Sequence, residues 1–316
     1  MQWRNKKVFI SGGAGVIGTY LVEKLLQDGA DIFVGDLKPK PAGWQNVHYR
    51  QGDLNTCTAE ELQGFNPEYF FHLAATFERS LETPEFWKEN YHHNVQLSHH
   101  LLNILKDTPA LKKVIFASSY LVYDPALYLF KEPAQKPISI SENSPLNPRN
   151  LCGMAKLYHE KELTFTKEFD PHLSIINARI FRSYGKNSRD ILSRWVRLLL
   201  KGEEITSYAP EGMFDFTYAG DVAEGLLKLA EKSISGTFNL GTGHARSVQD
   251  ALNILHTHFP NMKVQEGPSN IPYEASQADM SLFEKAVRWK PVHTLEQGLA
   301  EIIIHEKNSN DFKRDA

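Results

Sequence analysis

A glycine-rich turn near the start of the chain limits the possible folds more than any other feature. Residues 7–11 form a short β-rich run, and three glycines follow it at Gly12, Gly15 and Gly18. A helical spacing of leucines begins at once, and the next apolar run ends in Asp36. This order describes one βαβ unit with a glycine turn at its first crossover. It predicts an α/β fold built on a parallel sheet.

The same turn predicts a ligand. A glycine backbone can approach a pyrophosphate closely, and the N-terminus of the following helix favours negative charge. Asp36 lies eighteen residues after Gly18, where its carboxylate can accept hydrogen bonds from an adenosine ribose. A 2′-phosphate would be repelled there, which favours NAD over NADP. The residues expected to bind NAD are Gly12, Gly15, Val16, Ile17, Gly18 and Asp36.

Strands and helices continue to alternate through the first half of the chain, which predicts a Rossmann-type doubly wound sheet. Further strands are predicted at residues 47–50, 69–73, 114–117 and 173–178. Helices are predicted at residues 86–106, 152–169, 190–201, 221–232 and 247–259, and a last helix at Thr294 with a capping box to Gln297. We predict an NAD-binding domain over residues 1–178, to which 214–243 return. A smaller C-terminal substrate-binding α/β region comprises residues 179–213 and 244–316.

Composition narrows the function. The net charge of −3 gives no basic field, so nucleic-acid binding is not expected. Two cysteines do not indicate a disulfide framework. The polar N-terminal residues run directly into the first strand, so we expect no signal peptide, and no apolar run reaches membrane-spanning length. These features predict a soluble cytoplasmic protein with small-molecule partners.

One connection, residues 124–149, is unusually long and apolar. Two interpretations stand equally: a flap over the site, or a segment that packs against a neighbouring subunit.

Several separated motifs occur in a fixed order along the chain. They are residues 11–18, 52–54, 72–75, 94–95, 116–123, 179–181, 215–218 and 289–291. With these motifs the whole chain resembles the extended short-chain dehydrogenase/reductases, specifically the NAD-dependent epimerase/dehydratase group that acts on nucleotide sugars. The resemblance implies that Asp53 and Leu54 contact adenine. It also implies cofactor contacts from Leu73, Ala74, Ala75, Asn94, Lys156 and Phe181.

Chemistry in this group begins with hydride transfer from a sugar carbon, usually C4, to NAD. A Tyr-x-x-x-Lys pair on one helix and a serine or threonine on strand five handle the hydroxyl proton. The resemblance also implies a homodimer through a four-helix contact and a role in polysaccharide or glycoconjugate precursor synthesis. The substrate would be a nucleotide-diphosphate sugar.

The chain departs from this pattern at the tyrosine of the Tyr-x-x-x-Lys pair. Ser119 and Lys156 are present, but Cys152 stands where the tyrosine is expected. Three interpretations compete: Cys152 is the acid/base, another group is the base, or the protein binds its ligands without turnover. Candidates for another base are Tyr120, Tyr123, Tyr128, His92 and His93, although tyrosine is usual at position 123 in the family and favours a structural role there.

The substrate side departs as well. Arg182 replaces a common asparagine, and Phe214 replaces the arginine that usually precedes Asp215. One lost cation and one gained indicate that the diphosphate is gripped from a different side. Arg79 and Arg189 are secondary candidates, and Ser119 and Tyr120 are expected to face the sugar. Ser119 is followed by Tyr120 and Leu121, where the resemblance implies Asp-Glu in a 4,6-dehydratase, so simple 4,6-dehydration is disfavoured.

No histidine pair is joined by a carboxylate or cysteine at metal-ligand spacing in the sequence, so we expect no structural metal. The leading hypothesis is an NAD-dependent nucleotide-sugar epimerase acting at C4. The alternatives are a 4-dehydrogenase or ketoreductase, and a non-catalytic protein that binds NAD and a nucleotide sugar.

Overall fold

The computed structural model describes residues 2–77, 82–268 and 271–308. Its strands, in chain order, are β1 (Lys7–Ser11), β2 (Asp31–Asp36), β3 (His48–Gln51), β4 (Tyr69–His72), β5 (Lys113–Ser119), β6 (Leu129–Phe130), β7 (Ile138–Ile140), β8 (Ser174–Ile180), β9 (Arg182–Tyr184), β10 (Ile205–Ser207), β11 (Met213–Phe214), β12 (Phe216–Tyr218), β13 (Gly236–Leu240), β14 (Arg246–Ser247), β15 (Val264–Glu266), β16 (Tyr273–Glu274) and β17 (Ser276–Ala278). Its helices are α1 (Val16–Gln27), α2 (Ala59–Phe65), α3 (Pro84–Asn90), α4 (Leu97–Leu105), α5 (Leu151–Phe169), α6 (Ile191–Leu200), α7 (Ala219–Ala230), α8 (Val248–His258), α9 (Ser281–Val287) and α10 (Leu295–Asn308).

A seven-stranded sheet forms the centre, in the order β3-β2-β1-β4-β5-β8-β13. Every neighbouring pair in it is parallel. The chain winds outward from β1 in one direction and then from β4 in the other, so a crevice opens between the carboxyl ends of these two strands. Ligands of open α/β sheets bind at such a switch point. The predicted doubly wound fold is confirmed.

Both faces of the sheet are covered, as the continuous apolar strands require. Ile10 and Val34 pack under α1 and α7 on one face. Phe9 stacks on Phe70 on the other face, at 5.2 Å between ring centroids, beneath α4 and α5. A third cluster unites α6, α8 and α10 around Trp195 in the C-terminal region.

The predicted helix over residues 86–106 is interrupted. Thr83 caps α3, a π-helical turn spans Tyr91–Gln96, and α4 follows it directly. Such wide turns recur at functional sites. Here the turn carries Asn94, which is buried.

The long connection after β5 is held by its own chain. β6 pairs antiparallel with β16, and β7 pairs parallel with β17. Tyr128 and Ile140 are buried by this packing. The segment is therefore a wall built from two distant parts of one chain, and it does not hang free as a flap. Within the three described ranges, no helix has the length and apolar character needed to cross a bilayer.

Candidate active site

The glycine turn leaves no space for side chains. Gly12 has a φ of +75°, and a Cβ there would lie 2.6 Å from the backbone nitrogen of Ala74. A Cβ on Gly18 would lie 2.4 Å from the carbonyl oxygen of Gly12. These contacts bring β1, α1 and the end of β4 together as a bare backbone cradle. The cradle fits a pyrophosphate at the N-terminus of α1.

Asp36 is fixed beside this cradle. Its carboxylate accepts hydrogen bonds from the backbone N–H of Ala14 and of Lys38, both at 2.9 Å. Lys38 closes the same turn by donating to the carbonyl of Ala14 at 3.1 Å. The carboxylate predicted to bind ribose therefore lies at the tip of β2, directly next to the glycine turn.

The predicted adenine segment contains an ion pair that the sequence did not indicate. Asp53 accepts hydrogen bonds from the backbone N–H of Asn55 and from His92, whose Nε2 lies 2.6 Å away. Burial raises the pKa of Asp53, but these hydrogen bonds outweigh it and lower that pKa. The hydrogen bond to Asp53 raises the pKa of His92. Its other nitrogen lies 3.3 Å from Gln96, so both ring nitrogens of His92 have partners within this segment.

Two histidines and a carboxylate that the sequence did not join lie close enough together to be possible metal ligands. Asp53, His92 and His93 each place a ligand atom within 4.8 Å of the others. Sequence spacing did not show this group, because the carboxylate comes from a segment about forty residues before the histidines. The hydrogen bond between Asp53 and His92 is enough to hold the two side chains together.

The remaining predicted cofactor residues lie along the same edge of the sheet. Leu54 follows β3, and Leu73, Ala74 and Ala75 follow β4. Phe181 follows β8 and stacks on Tyr120 at 5.1 Å between ring centroids. The predicted cofactor residues therefore extend along this edge from the end of β3, past the glycine turn, to the end of β8.

Helix α5 carries the central pair. Asn150 caps the helix by accepting the backbone N–H of Gly153. A Cβ on Gly153 would lie 2.4 Å from the carbonyl oxygen of Leu121, so a larger side chain does not fit there. Cys152 and Lys156 are one turn apart on α5. Lys156 donates to the carbonyl oxygen of Ala117 at 2.7 Å, and its ammonium lies 4.7 Å from the ring centre of Phe116. Burial lowers the pKa of Lys156 to about 8.

The Cys152 thiol is buried against the loop that follows β4. It lies 3.8 Å from the carbonyl oxygen of Thr76 and 3.9 Å from the side-chain nitrogen of Asn94. Asn94 also accepts the backbone N–H of Thr76 at 2.7 Å. Asn94 therefore ties this loop, the π turn and the thiol together, so a contact with the cofactor would come in addition to these bonds.

Ser119 ends β5 and accepts the N–H of Leu121 at 3.2 Å. Beyond it, Tyr120 is buried against Phe181 and Tyr128. Tyr123 donates to the side chain of Asn239 at 2.6 Å, and burial raises its pKa to about 12. The structure thus gives Tyr123 a supporting place in the core.

A buried ion pair lies beneath these residues. Arg179 on β8 donates twice to Glu160 on α5, at 3.0 and 2.7 Å, and Ser118 donates to the same carboxylate at 2.5 Å. It joins β5, α5 and β8, the three elements that present Ser119, Lys156 and Phe181.

The three arginines predicted on the substrate side have different surroundings. The guanidinium of Arg182 lies 5.0 Å from the ring centre of Phe214 and 5.9 Å from that of Tyr120. The exposed Arg189 lies over Phe77 at 5.7 Å. Arg79 falls outside the described residues. Arg182 therefore lies beside the ring at position 214, which supports its guanidinium, and the side from which a diphosphate is gripped stays a prediction.

Sequence reasoning missed two neighbours of Arg182. Glu274 is buried on β16, and its carboxylate is 2.6 Å from Arg149 and 3.7 Å from Arg182. These three residues are far apart in the chain and carry no common motif. The pairing of β6 with β16 places Glu274, while the backbone bond of Arg149 to Leu121 and the pairing of β9 with β12 place the two arginines.

Comparison with known proteins gives a consistent result. A family model described as the NAD dependent epimerase/dehydratase family matches residues 8–241. The chain is 26% identical over 331 residues to a Bacillus subtilis protein described as the uncharacterized UDP-glucose epimerase YtcB, covering 95% of this chain and 97% of the relative. It is 27% identical to UDP-glucuronic acid decarboxylase 6 of Arabidopsis thaliana, covering 93% and 87%.

A solved structure agrees with this fold. MoeE5 in complex with UDP-glucuronic acid and NAD superposes with a TM-score of 0.81, at 26% identity. The match covers 95% of this chain and 99% of that one.

Proposed function

Because the chain belongs to the NAD-dependent epimerase/dehydratase family, we propose that it oxidises a nucleotide-diphosphate sugar at C4 and returns the hydride as an epimerase does. Bound NAD supplies the hydride acceptor. The observation that carries the proposal is the preserved pair of sites: the bare glycine cradle with Asp36, and Lys156 held under the end of β5 next to Ser119. The second site supports catalysis through Ser119, since cofactor binding alone would account for the cradle and for Lys156.

Three residues have roles in the proposed reaction. Ser119 hydrogen-bonds the reacting hydroxyl of the sugar. Lys156 holds a positive charge near that oxygen and binds the nicotinamide ribose, which favours the alkoxide that forms as the hydride leaves. Cys152 accepts the hydroxyl proton, and a cationic lysine one turn away favours its thiolate. The thiol is shorter than a tyrosine, so a water or a tilted sugar fills the gap.

The reaction is tested by the mass of the product. The protein is incubated with NAD and a panel of UDP-, GDP-, dTDP- and CDP-sugars. We expect an unchanged mass with a new chromatographic peak, the signature of an epimerase. A loss of two hydrogens would instead identify a dehydrogenase, a loss of water a dehydratase, and a loss of carbon dioxide a decarboxylase. Binding of NAD without any new species would contradict catalysis.

The role of Cys152 is tested by Cys152→Ser. A serine hydroxyl is a far weaker acid than a thiol, so we expect turnover to fall by about 10²–10⁴-fold, the usual worth of general acid–base help, with NAD affinity unchanged. Cys57→Ser is the matched control: Cys57 is also a buried free thiol, and burial raises its pKa to about 12. Unchanged turnover in Cys152→Ser would remove the thiol from the reaction.

We also propose a homodimer through the outer helices. Large apolar side chains are exposed along the faces of α3, the π turn and α5: Trp87, Tyr91, Met154, Tyr158 and Phe165. A second copy of this face would cover them, as a four-helix contact does. The mass of the full chain in solution tests this, with twice 36.0 kDa expected. A cytoplasmic location and a role in polysaccharide precursor synthesis stay predictions from the sequence.

A further inference from the structure

The cluster around Glu274 has the construction of a ligand site. Glu274 is 3% exposed. Its carboxylate accepts the hydroxyl of Ser276 at 2.8 Å and a guanidinium N–H of Arg149 at 2.6 Å, and it lies 3.7 Å from Arg182. A buried carboxylate is costly unless cations and hydrogen bonds compensate it. The same contacts restrict how the two guanidinium groups can turn.

The two arginines come from different parts of the fold and lie beside the proposed reaction site. The backbone N–H of Arg149 donates to the carbonyl of Leu121 at 2.9 Å, and Arg149 stands three residues before Cys152. Arg182 directly follows Phe181 and lies over the rings of Tyr120 and Phe214. The cluster therefore adjoins both the end of β5 and the end of β8, where the proposed reaction takes place.

We infer that Arg149, Arg182 and Glu274 form a recognition site for an oxyanion of the nucleotide sugar, with Glu274 as the positioning residue. A guanidinium is a planar fork of five N–H donors, so an arginine that pairs with Glu274 can also donate to a phosphate or carboxylate. Ion pairing and aromatic support hold the fork in place before the ligand arrives, which reduces the entropy lost on binding. The inference rests on the proposed function. The oxyanion is either the diphosphate or the carboxylate of a uronic sugar.

The decisive variant is Glu274→Gln in the full chain with NAD, assayed on whichever nucleotide sugar is turned over. Loss of the charge removes one anchor of both guanidinium groups, so we expect KM to rise about tenfold or more, with kcat and NAD affinity unchanged. Glu274→Asp should recover part of the affinity. Glu284→Gln, an exposed acid in the same region, should change nothing. An unchanged KM in Glu274→Gln would overturn the inference.

A second variant keeps the test valid if Glu274→Gln fails to fold. Arg182→Gln, at a half-buried position, should raise KM similarly, with Arg194→Gln on the exposed face of α6 as its control. In the double variant with Glu274→Gln, KM should rise by less than the product of the two single increases, because Glu274 acts through Arg182. Independent effects would contradict the positioning role.

Calorimetry on the NAD-bound protein separates the two oxyanions. UDP, UDP-glucose and UDP-glucuronate are titrated into the native protein and into Arg149→Gln and Arg182→Gln. Equal losses for all three ligands assign the site to the diphosphate, and a loss confined to UDP-glucuronate assigns it to the sugar carboxylate. No loss for any ligand overturns the inference. Absence of turnover with every sugar would refute the proposed function alone, since these binding arms do not need turnover.

Discussion

Replacing Lys156 with glutamine is expected to lower turnover by about 10²–10⁴-fold. Glutamine keeps a donor for the carbonyl of Ala117 but removes the charge that favours both the thiolate and the developing alkoxide. The measurement is kcat at saturating substrate, together with NAD affinity and thermal unfolding. Lys161→Gln is the matched control, because Lys161 is exposed on the same helix. Turnover of Lys156→Gln within a few-fold of the native protein would contradict a catalytic role for the ammonium.

The pH dependence provides an independent check on Lys156. Its pKa is lowered by burial from 10.5 to about 8. Rising pH removes the charge, so kcat/KM is expected to fall above about pH 8, and Cys152→Ser should retain that limb in its residual activity. Stability changes in the opposite direction. Between about pH 8 and 10.5 the unfolded chain binds more protons at this group, so its contribution to folding rises with pH. If unfolding caused the fall in kcat/KM, the free energy of unfolding would decrease over the same pH range, which is the opposite of the change expected from Lys156.

Arg179→Met is expected to destabilise the protein by about 3–5 kcal/mol. The substitution removes both guanidinium donors and leaves the carboxylate of Glu160 buried, with the hydroxyl of Ser118 still donating to it. The free energy of unfolding in urea measures the effect. Lys24→Met is the control, since its pair with Glu224 is partly exposed and is worth at most about 1 kcal/mol.

A double variant separates charge from packing. In Arg179→Met with Glu160→Leu, the unpaired carboxylate is gone, so much of the lost stability should return. Equal losses in Arg179→Met and Lys24→Met, or no recovery in the double variant, would show that the buried pair does not hold β5, α5 and β8 together.

Much of the fold could be predicted because its signals are local. The glycine turn, the strand that ends in Asp36 and the capping box at Thr294 each depend on residues close in sequence. The strand predicted over residues 173–178 is observed as β8, Ser174–Ile180. Errors fall at the boundaries, where neighbouring conformations have similar free energies.

The features that escaped prediction depend on distant residues. The π turn keeps an apolar spacing close to that of an α-helix, so residues 86–106 looked continuous. The pairing of Asp53 with His92 and the meeting of Arg149 with Glu274 join segments of the chain that share no motif. These contacts arise only after the sheet and its connections are assembled, and composition carries no record of them.

The wall formed by the connection after β5 lies beside the cluster around Glu274, and its strand pairing affects the order in which parts of the protein are completed. The cofactor sheet is complete once Leu240 has left the ribosome, but β6 must wait for β16, whose Glu274 pairs with Leu129 across 145 residues. Closing so long a loop comes late and depends on the final part of the chain. A chain interrupted before residue 273 would carry the seven-stranded sheet with its glycine turn but not the wall that holds Glu274. During synthesis, the sheet strands are therefore available for pairing before the Glu274 cluster can form.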